Sequence, residues 1–420
     1  MKYAFVFPGQ GSQFVGMGKE LAENFKTAKE VFQEVNDALS QDLFKLMVEG
    51  PENELTLTAN AQPALMANSM AIVRVLEKDF GVKLKDKAAF VAGHSLGEYS
   101  AACAAGVFSL EDTAKLLRIR GDAMQKAVPV GVGGMAAVMG VSFKDVQALA
   151  EACADEDNLC VAANDNADGQ VVLSGHLKAI EKAVEIASEF GAKRCIKLPV
   201  SAPFHSPLMQ PAAEVMARAL MQVEARDAQI PLIANVLASA ITDHKEIVKR
   251  LVEQVTGSVR WRESVIYMKE QGVTDVAELG AGKVLANIIK RSDKEMNAFS
   301  VGSAAEIEEL IKEINMFELH DKVALITGAA GGLGDKIART LHKQGATLAL
   351  TDMRAEPMEK LKAELGDRVE VFTANLTNPE DVKNLVSQVE EKLGRIDILV
   401  NNAGLTRDNL FIRMSDEDWQ

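Results

Sequence analysis

The chain is predicted to be α/β, and three observations carry that prediction. Strand-like runs at residues 88–92, 171–174 and 194–199 alternate with helical patterns at 110–127 and 179–190, the alternation that lays helices on a largely parallel sheet. An apolar run, a glycine-flanked serine and a small-residue run follow one another over residues 88–106, reading as strand, sharp turn and helix. A further strand, glycine-rich turn, helix and strand succession begins at Lys322 and shares no repeat with what precedes it. With 420 residues, 48% of them hydrophobic, the chain has the material for two or three units, each with its own core.

Composition narrows the function classes. Cys103, Cys153, Cys160 and Cys195 show no C-x-x-C spacing, so neither a zinc site nor a disulfide framework is expected and a reducing cytoplasm fits best. The opening Met1-Lys2-Tyr3-Ala4-Phe5-Val6-Phe7-Pro8 is a buried-type strand stopped by proline, too short for a signal segment, and no apolar run spans a bilayer. The 46 basic and 60 acidic residues leave a net charge of −14 with no basic stripe of interleaved aromatics. No nucleic-acid partner and no membrane partner are expected.

The strand, turn and helix around Gly93-His94-Ser95-Leu96-Gly97 form a nucleophile elbow. Two glycines allow a strained turn that lifts the serine hydroxyl into the open at the positive end of a helix, so Ser95 is the candidate nucleophile rather than a simple helix cap. It needs a base. His205 lies in Pro199-Val200-Ser201-Ala202-Pro203-Phe204-His205-Ser206-Pro207, where three prolines stiffen a loop straight after a strand. His176, in a turn, and His244, in a polar run, are expected to be solvated. A serine and histidine pair implies acyl transfer, whose oxyanion calls for backbone N–H donors. Leu96 follows the nucleophile, and Gln10 lies in the tight turn Phe7-Pro8-Gly9-Gln10-Gly11-Ser12-Gln13.

Between Gly131 and Pro199 a compact insertion reads as strand, helix, strand, strand, helix, strand: residues 135–141, 143–154, 161–164, 171–174, 177–190 and 192–198. That succession makes an open-faced, ferredoxin-like small lobe. A break is expected at residues 312–317, where Met316 has the look of an initiator.

The stretches Phe7 to Gln13, Gly93 to Tyr99, Met124 to Pro129 and Pro203 to Met209 together resemble the malonyl-CoA:acyl carrier protein transacylase family over residues 1–314. The resemblance implies an α/β-hydrolase-like large lobe formed by residues 1–130 and 200–314, a small lobe at 131–199, and an active site between them. It implies ping-pong transfer of malonyl from coenzyme A to Ser95 and then to the phosphopantetheine thiol of acyl carrier protein, in fatty-acid biosynthesis, with no cofactor. Arg120 matches the family's carboxylate-binding arginine, Gln254 the residue whose carbonyl orients the base, and Asn164 and Asn166 a position near the acyl pocket. Gly257-Ser258 stand where the family usually has proline, which predicts a looser backbone behind Gln254. Lys290 and Arg291 are the candidate cationic patch for an acidic carrier protein. The alternative is a serine hydrolase or thioesterase acting on acyl thioesters. It shares the elbow, but places its histidine late, after an acidic residue, and has no use for Arg120.

Residues 315–420 are predicted to be a partial, Rossmann-type doubly wound sheet. Thr327-Gly328-Ala329-Ala330-Gly331-Gly332-Leu333-Gly334, Asp352 and Asn401-Asn402-Ala403-Gly404 resemble the short-chain dehydrogenase/reductases. The run Gly404-Leu405-Thr406-Arg407-Asp408-Asn409 brings the resemblance close to 3-oxoacyl-[acyl carrier protein] reductase. Gly328, Gly332, Gly334, Asp352 and Asn402 are the candidate contacts for NAD or NADP, Asp352 favouring NAD and nearby Arg354 favouring NADP. No tyrosine follows Tyr267, so the family's proton donor is missing and this fragment is expected to be an inactive reductase with an uncovered strand edge. A noncatalytic NAD-binding module is the reading that rests on this fragment alone.

Overall fold

The computed structural model describes residues 2–200, 202–315 and 319–404. Met316 and residues 405–409 lie outside them. The chain forms two compact units, Met1–Ile311 and Lys312–Gln420. The boundary falls inside the helix Ala304–Asn315, where Ile307, Leu310 and Ile314 form a buried helical stripe, at the start of the stretch 312–317 where a break is expected.

In the first unit, β1 (Tyr3–Phe7) and β2 (Ala88–Gly93) are neighbouring parallel strands, registered so that Phe7 lies beside Gly93. The five residues of β1 are all buried, which explains its unbroken apolar sequence: helices cover both faces of such a strand. The chain then leaves this sheet to build a second one from β3 (Gly133–Met139), β4 (Cys160–Ala167), β5 (Gln170–His176) and β6 (Arg194–Lys197). Its order is β4-β5-β3-β6, antiparallel throughout. Helices Phe143–Cys153 and Leu177–Ile186 close its core around Val138, Val146, Leu149, Leu173 and Ile180.

One strand here runs longer than its sequence suggests. A strand was expected over residues 161–164, yet β4 reaches Ala167 through Asn164-Asp165-Asn166. Two register shifts against β5 mark a bulged strand in which all three polar residues are buried, Asp165 against Arg262 and Asn166 against His94. The chain returns to the large sheet with β7 (Leu232–Ala234), β8 (Ser239–Ile241), β9 (Asp275–Leu279) and β10 (Asn297–Val301), giving the order β10-β9-β1-β2-β7-β8. All pairs are parallel except β7 with β8. Side chains that follow the carboxyl ends of β1, β2 and β7 therefore converge, the usual place for a site in such a sheet.

The second unit is a parallel sheet of β11 (Val323–Thr327), β12 (Thr347–Asp352), β13 (Val369–Thr373) and β14 (Ile398–Val400), ordered β13-β12-β11-β14. Separate apolar clusters on its two faces, one with Ile326, Leu348 and Leu350 and one with Leu325, Ala349 and Phe372, make it doubly wound. Among the described residues β14 has β11 as its strand neighbour, and Leu399 is 57% exposed. No helix among the described residues is long and apolar enough to cross a membrane.

Candidate active site

The elbow after β2 is built by exclusion. Ser95 sits at φ 54°, ψ −109°, a strained conformation for a residue with a side chain. A Cβ on Gly93 would lie 1.9 Å from the Gly97 backbone, and one on Gly97 would lie 2.2 Å from the Phe7 carbonyl oxygen. Only glycine lets the helix Leu96–Ala104 begin this close to the strands. Gly97→Ala is expected to lower the unfolding free energy of the first unit by about 3 kcal/mol, because the clash is with backbone of a buried strand. Urea unfolding followed by Trp261 fluorescence measures this, and an unchanged midpoint would show that the contact gives way.

Ser95 and His205 meet directly: Ser95 Oγ lies 2.7 Å from His205 Nε2, and His205 Nδ1 lies 2.8 Å from the Gln254 carbonyl oxygen. A carbonyl can only accept, so Nδ1 carries the ring proton and Nε2 presents its lone pair to the hydroxyl. His205 is itself at φ 56°, so strain is held in both members of the pair. Burial first, and the Arg120 charge second, push the imidazole down from the ordinary histidine value to about 3. The neutral base is thus present across the whole neutral range. The acid side of the pH profile for Ser95 acylation is expected to stay flat through pH 6.5 and down to about pH 5. A limb titrating near 6.5 would show that His205 is not held neutral. The same depression stabilises the fold above pH 6.5, and that contribution is lost as pH falls towards 3.

Arg120 is almost wholly buried, 1% exposed, and it touches Ser95 itself. Its Nη2 donates to Ser95 Oγ at 3.1 Å and to Gln254 Oε1 at 2.8 Å, while Nη1 donates to Gln62 Oε1 at 2.9 Å. The guanidinium lies over the Tyr99 ring, 5.5 Å from its centre. Its buried Nε–H has no acceptor among the described residues. A cation held in this way, with a donor unspent, is poised for an anion.

Gln254 does more than its expected carbonyl contact. Its side-chain Nε2 donates to the Ser95 carbonyl at 2.8 Å, to Glu98 Oε2 at 2.8 Å and to Asn235 Oδ1 at 3.3 Å. The looser backbone predicted at Gly257-Ser258 is not what the structure shows. A Cβ on Gly257 would come within 2.9 Å of both the Glu253 oxygen and Val236, and Ser258 Oγ and the Val259 N–H both donate to the Ala163 oxygen. Close packing and the hydrogen bonds to Ala163 of β4 do here what a proline ring would have done.

A cavity of about 360 Å³ contains Gln10, His94, Ser95, Leu96, Arg120, Asn164, Asn166 and His205 in its wall. Neither the Gln10 nor the Leu96 N–H is taken up by an acceptor among the described residues, leaving both free for an oxyanion. Asn166 Oδ1 is 2.7 Å from His94 Nε2 and so fixes the elbow's own histidine. Lys290 and Arg291 stand elsewhere, exposed at the end of helix Val284–Ser292. His176, expected to be solvated, accepts the Leu159 N–H at 2.8 Å and so extends the β4–β5 pairing beyond its last ladder residue, and His244 pairs with Asp227 at 2.6 Å.

Two residues in contact with the Ser95 turn and Gln254 escaped the sequence reading. Asn235 accepts the Ser95 N–H at 2.8 Å and donates to the Gly93 oxygen at 2.7 Å, bracing the elbow from the end of β7. Glu98, 1% exposed, accepts the Asn235 N–H at 3.1 Å as well as the Gln254 amide. A signal existed for each: an asparagine straight after the apolar run Leu232-Ile233-Ala234, and a lone acid in an otherwise small and apolar helix.

Residues 4–330 match the acyl transferase domain family and residues 322–420 the short chain dehydrogenase family. The malonyl CoA-acyl carrier protein transacylase of Bacillus subtilis (strain 168) is 44% identical over 313 residues, 74% of this chain and 97% of that protein. This chain belongs to the malonyl CoA-acyl carrier protein transacylase family. Among solved structures, an acyl-carrier-protein-S-malonyltransferase from Bartonella henselae is 56% identical, with a TM-score of 0.73 over 75% of this chain and 99% of that one. A malonyl-transacylase solved in complex with a type II PKS acyl-carrier protein is 38% identical, with a TM-score of 0.72 over 74% of this chain and 100% of that one.

In the second unit the glycine turn follows β11. Gly328 has φ 64°, a Cβ on Gly334 would lie 2.3 Å from the Gly328 oxygen, and a Cβ on Gly332 would meet nothing within 4 Å. Asn402 Nδ2 donates to the Thr327 and Gly328 oxygens at 3.0 and 3.1 Å, tying β14 to the turn. Asp352 accepts the Ala330 N–H at 3.3 Å and pairs with Arg354 at 3.6 Å.

Proposed function

We propose that the first unit transfers malonyl from coenzyme A to the phosphopantetheine thiol of acyl carrier protein, with Ser95 carrying the acyl group between them. The observation that carries this reading is the single cavity in which Ser95 Oγ lies 2.7 Å from His205 Nε2 and 3.1 Å from Arg120 Nη2. In the first half-reaction Oγ attacks the thioester carbon and gives its proton to His205, while the Gln10 and Leu96 N–H groups meet the oxyanion. The C–S bond breaks, His205 returns the proton to the departing coenzyme A thiolate, and malonyl remains as an ester on Ser95. The carrier thiol reverses these steps, its proton passing to His205 and back to Ser95.

Arg120 selects the acyl group. In the malonyl ester only two carbons, the carbonyl and one methylene, separate Oγ from the free carboxylate, so a guanidinium next to Oγ suits a short dicarboxylic chain that folds back on it. Asn164 and Asn166 border the acyl pocket, and Gln254 aligns the base. The large lobe is read as α/β-hydrolase-like over 1–130 and 200–314, and the small lobe as ferredoxin-like over 131–199. The order β4-β5-β3-β6 with two helices on one face supports the latter. Lys290 and Arg291 offer charge to an acidic carrier. A cytoplasmic setting suits the four free thiols. In the second unit the open side of Gly332 and the N-terminus of helix Gly332–Lys343 have the shape for the phosphates of NAD or NADP, and the transfer routes no step through them.

Incubation with malonyl-coenzyme A and phosphopantetheinylated acyl carrier protein is expected to yield malonyl carrier protein. Release of free malonate without transfer would favour the thioesterase reading.

A further inference from the structure

Arg120 is a buried cation with no carboxylate in direct contact among the described residues, where a single acid, Glu98, stands behind it. The two are joined through one amide. Gln254 Oε1 accepts from Arg120 Nη2 at 2.8 Å, and Gln254 Nε2 donates to Glu98 Oε2 at 2.8 Å. This fixes which way the amide points and makes Glu98 the counter-charge to Arg120 one group removed. The charged and titratable neighbours are few. Arg120 faces Glu98 from helix Leu110–Lys126 and Tyr99 adjoins it on its own helix. Asn235 and Gln254 approach from the end of β7 and helix His244–Thr256 as neutral donors. His205 is coupled to the group through Arg120. The second carboxylate oxygen of Glu98, Oε1, is buried without a partner among the described residues.

We propose that Glu98 takes up a proton from solvent when the malonyl carboxylate pairs with Arg120, so that malonyl binding and Glu98 protonation are one coupled event. This rests on the reading that Arg120 receives that carboxylate. Before binding, one buried positive charge is balanced by one buried negative charge. After binding, two carboxylates would share one guanidinium in a desolvated site, and neutralising the acid that lacks direct contact with Arg120 costs least. Burial already pushes the Glu98 carboxyl up to about 7, against the pull of its two donors and of Arg120, so little further change is needed to protonate it. Glu98 is therefore a positioning residue whose charge state follows the acyl donor. An acetyl donor brings no carboxylate and leaves it unchanged.

The test uses the full chain with Ser95→Ala, so that binding is read without acylation. Calorimetric titrations of malonyl-coenzyme A in buffers of different ionisation enthalpy, at about pH 8, are expected to show uptake approaching one proton. Acetyl-coenzyme A, which carries the same phosphates, is expected to show none beyond their own contribution. Malonyl affinity is expected to weaken by up to about tenfold per pH unit above about pH 7. Glu98→Gln in the same background should abolish both effects while malonyl still binds. Uptake that survives in Glu98→Gln would assign the proton to His205 and overturn the proposal, as would malonyl binding with no uptake. If Glu98→Gln does not fold, infrared difference spectra with labelled glutamate on the Ser95→Ala protein decide the matter: a new protonated carboxyl band supports the proposal and its absence ends it. Equal malonyl affinity in Arg120→Ala would instead show that the underlying reading of Arg120 fails.

Discussion

Replacing Ser95 with alanine is expected to leave no malonylated protein after exposure to malonyl-coenzyme A and to lower transfer to acyl carrier protein by about 10⁴-fold or more. The expectation follows from geometry. Ser95 Oγ is the one atom that His205 Nε2 reaches at 2.7 Å while Arg120 Nη2 reaches it at 3.1 Å. It stands where the N–H groups of Gln10 and Leu96 border the same cavity. Alanine makes the same demand on the backbone as serine, and the Asn235 bond to the residue-95 N–H does not involve the side chain. The variant should therefore fold and bind. Intact-mass measurement after brief exposure reads the result, and an adduct that persists in Ser95→Ala would move the acyl group to another residue and end the assignment.

Arg120→Ala carries the second large effect, and it has two parts. Gln62 Oε1 and Gln254 Oε1 would each lose a donor, Gln254 being fully buried. Each orphaned acceptor costs about 1–3 kcal/mol, so a loss of about 3 kcal/mol in stability is expected. The larger change is in choice of donor. A charge pair in a desolvated pocket is worth about 2–5 kcal/mol once one partner is removed. The preference for malonyl over acetyl on Ser95 is therefore expected to fall by about 10²- to 10³-fold. Arg120→Lys should not restore it, because a compact ammonium cannot span Gln62, Gln254 and Oγ together. Competition between the two acyl-coenzyme A donors, read as the ratio of adduct masses, measures the effect. An unchanged ratio would remove Arg120 from its role.

Much of this site can be read from local patterns because its pieces are local. The glycines around Ser95 announce a turn that no Cβ tolerates, and the clashes at Gly93 and Gly97 are that constraint in atomic form. The prolines around His205 mark a stiff loop, though nothing in them foretells its φ of 56°. Asn164 and Asn166 are expected near the pocket through the family resemblance, and the bulged strand β4 is what carries them into the cavity wall. His176 reads as a solvated turn residue until its bond from Leu159 is seen.

By itself, then, the order of residues determined the α/β class and the glycine-rich turn after Lys322, and it singled out Ser95 and His205 as the candidate pair, since each depends on backbone demands felt within a few positions. What only the tertiary structure decided is the company these groups keep. Asn235 lies 140 positions from Ser95 and Gln254 lies 156 from Glu98. No spacing rule links them. They meet because parallel strands bring distant carboxyl ends side by side, and because a buried arginine gathers every neutral acceptor within reach while its counter-charge is left one amide away.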